Sequence, residues 1–151
     1  MYQNSGYNFE RNPKKTLIIQ YDAANTSQRI DLQEPLKIDQ LSDIYLDSFI
    51  TGHTAPAVAA GAKEMFILGV SEFNIQSISS ESKYNNKVII PNTRGGETQV
   101  TVHRANKFNF ISTINPTTLS QLNITLTNDD GGAVHTTTET IWMTFIIVAR
   151  K

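Results

Sequence analysis

The chain has no cysteine among its 151 residues. Disulfide bonds, thiol nucleophiles and cysteine-based zinc sites are therefore excluded, which suits a reducing compartment. A chain of this length corresponds to one domain, and such a domain buries about 70% of the surface that its unfolded chain exposes. We therefore expect it to fold without disulfides or a structural metal.

Charge is balanced as well as sparse, with 13 Lys and Arg residues against 14 Asp and Glu residues. Binding to nucleic acid requires a basic surface, and this composition gives no reason to expect one. The N-terminal residues lack the basic and apolar regions of a signal peptide. The longest apolar run, residues 145–149, is far below the roughly 20 residues of a membrane helix. We expect a soluble, unsecreted protein with no nucleic-acid partner and no membrane insertion.

What the chain does contain is a series of short runs of β-branched and aromatic residues, separated by Asn, Asp, Gly and Pro. This pattern is typical of an all-β sandwich or barrel, and it predicts eight or nine strands with almost no helix. Eight antiparallel strands in two facing sheets make a jelly roll. We therefore predict a single eight-stranded jelly-roll domain over residues 16–151, preceded by an N-terminal arm over residues 1–15.

The strictest alternation lies near the C-terminus. Leu122, Ile124 and Leu126 alternate with polar residues, which predicts that they face the core. Residues 136–150 are predicted to form a long strand, whose apolar face is built by alternate residues: Ile141, Met143, Phe145 and Ile147.

Other segments give local predictions. Pro35 should interrupt the chain after a strand over residues 28–32, because it cannot donate to a sheet ladder. Gly69 suggests a bulge or bend in the β-rich run of residues 65–78. Residues 99–103 and 108–114 are predicted to pair with each other as a hairpin.

Residues 36–51 fit two periodicities. Leu41, Ile44 and Tyr45 fit a helical stripe, whereas Ile44 and Leu46 fit the alternation of a strand. The neighbouring segments are strands and this one ends in β-branched residues, so a strand is favoured.

We expect no catalytic, cofactor or metal site. The three histidines, His53, His103 and His135, are isolated and lack partners at ligand spacing, so His103 and His135 are interpreted as solvated strand ends. No Ser lies in a Gly-x-Ser-x-Gly elbow.

Three carboxylates, Asp39, Asp43 and Asp47, recur every four residues. On a helix they would share one face and could bind Ca²⁺, whereas on a strand they would lie too far apart to converge. A solvated edge or loop face is the favoured interpretation. The acidic residues before Gly131 and Gly132 are interpreted as part of a hairpin turn.

Trp142 is a candidate interface residue. Within an alternating strand it points opposite to Ile141 and Met143, so it is placed to stack on a sugar or to cover a subunit contact.

Six segments of the chain carry a resemblance to a known family: LKIDQLSDIYLDSF (36–49), FNI (73–75), IIPN (89–92), INPT (114–117), LNITL (122–126) and FIIVAR (145–150). Together they resemble small capsid proteins of nucleocytoplasmic large DNA viruses. The similarity covers most of residues 30–150, and it rests on the order in which these segments occur. The Ala-rich segment, residues 55–62, matches no segment of those capsid proteins.

This resemblance implies a single jelly roll within an icosahedral shell. A chain this short is similar to penton proteins, which close the five-fold vertices, and is too short for a two-jelly-roll major capsid protein. The implied partners are copies of the chain in a homopentamer, the major capsid protein and other minor capsid proteins. The implied location is the virion, assembled in the host cytoplasm. A minor capsid protein elsewhere in the shell, or a lectin-like or tumour-necrosis-factor-like binding module, remains the alternative.

The N-terminal arm is the second candidate interface. It carries Tyr2, Tyr7, Phe9 and Arg11, with no pattern that would bury them in their own domain. Buried Tyr and Arg contribute strongly to protein contacts. We therefore expect the arm to be disordered in a free subunit and to clamp a neighbouring capsid subunit.

Overall fold

A computed structural model of the protein describes residues 13–51, 65–92, 101–103, 109–134 and 140–150. Its strands are β1 (Lys14–Asp22), β2 (Ser27–Ile38), β3 (Ser42–Thr51), β4 (Met65–Val70), β5 (Val88–Pro91), β6 (Thr101–His103), β7 (Asn109–Ile114), β8 (Thr117–Asn128) and β9 (Thr140–Ala149). Two 3₁₀ turns, Ser71–Phe73 and Ser82–Tyr84, are the helical elements of the described residues. None of the helices described there has the length and hydrophobicity to cross a membrane.

The strands form two antiparallel sheets. One has the order β1-β9-β3-β6, with β7 also paired to β3, and the other has the order β2-β8-β4-β5. Strand β9 occupies one edge of β3 along its length, so β6 and β7 share the opposite edge and fill one strand position in succession. The nine segments therefore occupy eight positions, and the predicted all-β sandwich is confirmed.

The core lies between the two sheets and follows the predicted alternation. Leu122, Ile124 and Leu126 are at most 1% exposed, so the predicted inward face of β8 is confirmed. The predicted inward face of β9 is also confirmed, because its four apolar residues are all buried: Ile141, Met143, Phe145 and Ile147. Aromatic rings fill the centre, where Phe73 meets Phe145 edge to face with ring centroids 5.2 Å apart.

The ambiguous segment forms strand β3, as favoured from the sequence. It lies inside its sheet, between β9 and the position shared by β6 and β7. Ile44 and Phe49 enter the core, while Tyr45 points the other way and is nevertheless buried. Burial on both faces explains why β3 lacks a clean polar alternation.

The predicted hairpin between residues 99–103 and 108–114 is wrong. Both described strands, β6 and β7, pair with β3, at Phe49–Thr51 and Ser42–Leu46 respectively. Two consecutive strands can look like a hairpin in sequence while they lie end to end along one partner, because alternation does not encode the partner.

Of the predicted bulge or bend at Gly69, the bulge is wrong, whereas the chain does turn two residues later, at Ser71–Phe73. Gly69 pairs in regular register with Thr125, and β4 ends one residue later, at Val70, so the β-rich run to residue 78 is not one strand. A Cβ atom at Gly69 would lie 2.6 Å from Oγ1 of Thr125 and 2.8 Å from Cδ of Lys87. Glycine is therefore required by close side-chain packing over this position.

The edges of the sheets depart from two other expectations. The predicted interruption of the chain at Pro35 is wrong, because β2 runs on to Ile38 at this edge of the sheet; only its pairing with β8 is broken, between Asp31 and Leu36. Lys14 and Lys15, assigned to the arm from the sequence, are the first residues of edge strand β1 and pair with β9.

Candidate interaction surface

The outward side of the five-stranded sheet is the candidate functional surface. Side chains alternate across a strand, so the residues between the core positions of β9 point away from the second sheet. Trp142 is one of them, flanked by the buried Ile141 and Met143, and it is 37% exposed. Its outward direction agrees with the sequence prediction.

The strand registers arrange these outward side chains in rows across the sheet. The first row crosses all four strand positions and consists of Gln20, Trp142, Ile50 and Val102. The next row consists of Ile18, Thr144 and Ser48. The third row consists of Thr16, Ile146, Tyr45 and Phe110. Directly opposed side chains in such rows lie within contact distance, so the apolar members form continuous patches.

The third row contains a packed apolar cluster outside the main core. Tyr45 and Val148 are buried there, and Ile146 packs against them. Phe110 meets the Tyr45 ring edge to face, with centroids 5.7 Å apart. This arrangement holds Phe110, which is 51% exposed, in a fixed position on the surface.

Among the described residues of this face, four large apolar side chains remain open to solvent. Their exposed fractions are 68% for Ile18, 51% for Phe110, 41% for Val102 and 37% for Trp142. Because a large side chain presents about 150–250 Å², they expose roughly 400 Å² of apolar surface. A patch of that size is as large as the largest one on a typical monomer, and such patches mark interaction sites.

A buried ion pair closes one end of the face. Asp43 of β3 is 2% exposed and accepts hydrogen bonds from Nε of Arg150, 3.0 Å from each carboxylate oxygen. Its Oδ1 also accepts a hydrogen bond of 2.8 Å from Oγ1 of Thr113. The hydrogen bond to Asp43 raises the pKa of the Arg150 guanidinium. This network ties the C-terminal end of β9 to β3 and β7.

The interpretation of the three carboxylates as a solvated row is therefore wrong for Asp43. Asp39 and Asp47 are exposed, whereas Asp43 is buried because Arg150, 107 residues away in sequence, neutralises it. The described residues contain no group of three or more His, Cys, Asp or Glu side chains placed to hold a metal ion. His53 and His135 lie outside the described residues, and His103 ends strand β6, at a strand end as predicted.

The outward face of the other sheet is polar by comparison. Arg29 and Asp31 form an exposed ion pair of 3.1 Å on β2. Glu72 accepts hydrogen bonds from the backbone and side-chain amides of Asn123, at 2.8 and 2.7 Å. The two outer faces of the sandwich therefore differ in chemical character.

Of the predicted interface residues, only Trp142 lies in the described part of the chain. Tyr2, Tyr7, Phe9 and Arg11 lie outside it. The sequence prediction missed Ile18, Val102 and Phe110. A signal for Ile18 was present, because it lies between Leu17 and Ile19, two core residues of β1, and so occupies the outward position.

Neither a protein-family model nor a curated protein matches this chain. Function is therefore inferred from the strand order, the apolar outer face and the sequence resemblance.

Proposed function

We propose that the protein is a structural subunit of an icosahedral viral capsid: a jelly roll that closes the five-fold vertices by self-association. The observation that carries the fold part of this proposal is the pairing of the strands. In the chain, β1 pairs with β9, β2 with β8, β3 with β6 and β7, and β4 with β5. These pairs are those of one long hairpin that has been rolled up into two sheets.

Such a rolled hairpin is the arrangement of a jelly roll, in which two Greek keys distribute successive strands between facing sheets. The other strand contacts, β9 with β3 and β8 with β4, join neighbouring turns of the roll. Capsid subunits, lectins and cupins share this architecture, so the fold alone does not choose among them.

The outer face supports an assembly role. A capsid subunit acts through contacts with its neighbours, and five copies around an axis need a heterologous interface that closes into a ring. The apolar face around Trp142 offers exposed aromatic and aliphatic side chains of the kind enriched in protein contacts. The sequence resemblance to small capsid proteins of large DNA viruses points to the same role.

Electron microscopy of the purified protein and of virus particles tests the proposal. The expected results are five-fold rings of the isolated chain and density for one ring at each vertex. A monomer that binds glycans and is absent from purified particles would instead identify a lectin-like module. Density at another position of the shell would identify a minor capsid protein.

A further inference from the structure

We propose that the outward face of the five-stranded sheet is the surface on which a second copy of this chain docks. The inference rests on the proposed function, which requires self-association, and names the contact surface. Its centre is the two apolar rows that contain Trp142 and Phe110, with Ile18 between them.

The dimensions of the face suit a protein partner. Four strand positions at about 4.8 Å and ten residues of β9 at about 3.3 Å give a face of roughly 19 Å by 33 Å. Its projected area of about 600 Å² approaches the roughly 800 Å² of accessible surface that each partner buries in a standard interface. A small molecule needs a concave pocket and would cover only part of such a sheet surface.

The charge of the face favours a copy of the same chain. The three central rows contain no charged side chain among the described residues. Charges flank them on the same face: Asp22 lies beyond one end, and Lys14 and Asp43 lie beyond the other, where Asp43 is paired with Arg150. Nucleic acid and anionic membranes require cations, which these rows do not supply. The chain itself is nearly neutral, with a formal net charge of −1, so a copy of it suits an uncharged face better than a strongly charged partner does.

The absence of cysteine allows a direct test. A single cysteine introduced as Ile18→Cys, in an otherwise full-length chain, should react with a maleimide in dilute solution and be protected at concentrations where the chain assembles. The matched control is Asn123→Cys, an exposed position on the outward face of the other sheet, which should react equally at both concentrations. Equal reactivity of Ile18→Cys in the monomer and the assembly would overturn the inference.

Two variants that should disrupt the contact provide the second test. Ile18→Lys changes an exposed residue of an edge strand, and Trp142→Ala removes the central aromatic side chain. Each should weaken self-association by about 30-fold in dissociation constant, as loss of an interface hot spot does, while circular dichroism keeps its β signal. Sedimentation velocity measures the self-association of each variant. If Trp142→Ala fails to fold, Ile18→Lys alone decides.

The outcomes separate this inference from the proposed function. Assembly that persists in both variants would place the contact elsewhere and leave the capsid role intact. A chain that occupies the vertices of particles but leaves Ile18→Cys fully reactive there would overturn only the inference. A dimer through this face that never forms rings or enters particles would support the inference and refute the capsid role.

Discussion

The ion pair between Asp43 and Arg150 makes an asymmetric prediction about stability. Arg150 keeps 39% of its side chain exposed, whereas Asp43 is 2% exposed. Replacing Arg150 with Met leaves a carboxylate in a nearly dry site. Replacing Asp43 with Asn leaves a guanidinium that water reaches. Removal of the more exposed partner should therefore cost more.

The expected loss of unfolding free energy depends on which charged group each variant leaves without its partner. Removing one partner of a buried pair costs about 3–5 kcal/mol, and Arg150→Met should fall near about 3 kcal/mol because Thr113 still donates to the carboxylate. Asp43→Asn retains an acceptor for Thr113 and loses a charged hydrogen bond, which costs about 1.5–2 kcal/mol, at the low end of the range because water reaches the freed guanidinium. The double variant Asp43→Asn/Arg150→Met should cost less than the sum of the single variants.

Equilibrium unfolding in urea measures these differences. Trp142 is the single tryptophan of the chain and lies on β9, so its fluorescence reports on the strand that the ion pair anchors. The control is Lys37→Met, which breaks an exposed pair with Asp39 and should change the unfolding free energy by less than about 0.5 kcal/mol. A larger cost for Asp43→Asn than for Arg150→Met, or additive costs in the double variant, would refute the reasoning.

Four further predictions concern two buried side chains, a closely packed glycine and the N-terminal arm. Ile124→Ala should lower the unfolding free energy by about 2–5 kcal/mol, because the side chain is 1% exposed; an unchanged urea midpoint would contradict its burial. Burial raises the pKa of Tyr21 to about 12 from 10.0, so stability present below pH 10.0 should decline by about 2 kcal/mol as the pH rises to about 12; Tyr21→Phe should lack this decline in pH-dependent urea titrations. Gly69→Ala should cost about 1–3 kcal/mol by thermal unfolding, and Thr125→Ala should recover part of the loss if the close approach is the cause. A chain without residues 1–12 should keep the wild-type urea midpoint yet fail to join assemblies, and normal incorporation into particles would exclude the clamp.

The elements whose apolar residues alternate strictly could be predicted from sequence. The inward faces of β8 and β9 are examples, because a period of two is a local property and one face must be buried. The turn after β8 could also be predicted from its residues: Gly131 adopts a φ of 87°, and its amide donates to the carbonyl of Asn128. The predicted hairpin is wrong, however, because β8 and β9 belong to different sheets and the turn leads from one sheet to the other. The outward direction of Trp142 follows from the same periodicity.

The sequence by itself thus determined where most strands lie and which side of each is apolar. Only the tertiary structure decided which strands are neighbours: β6 and β7 share one edge of β3, and Arg150 reaches Asp43 across 107 residues. It also decided that Ile18, Val102, Phe110 and Trp142, from four strands, form one surface. Periodicity and turn chemistry act within a few residues, whereas strand order is chosen by the packing of the whole core, which no single segment encodes.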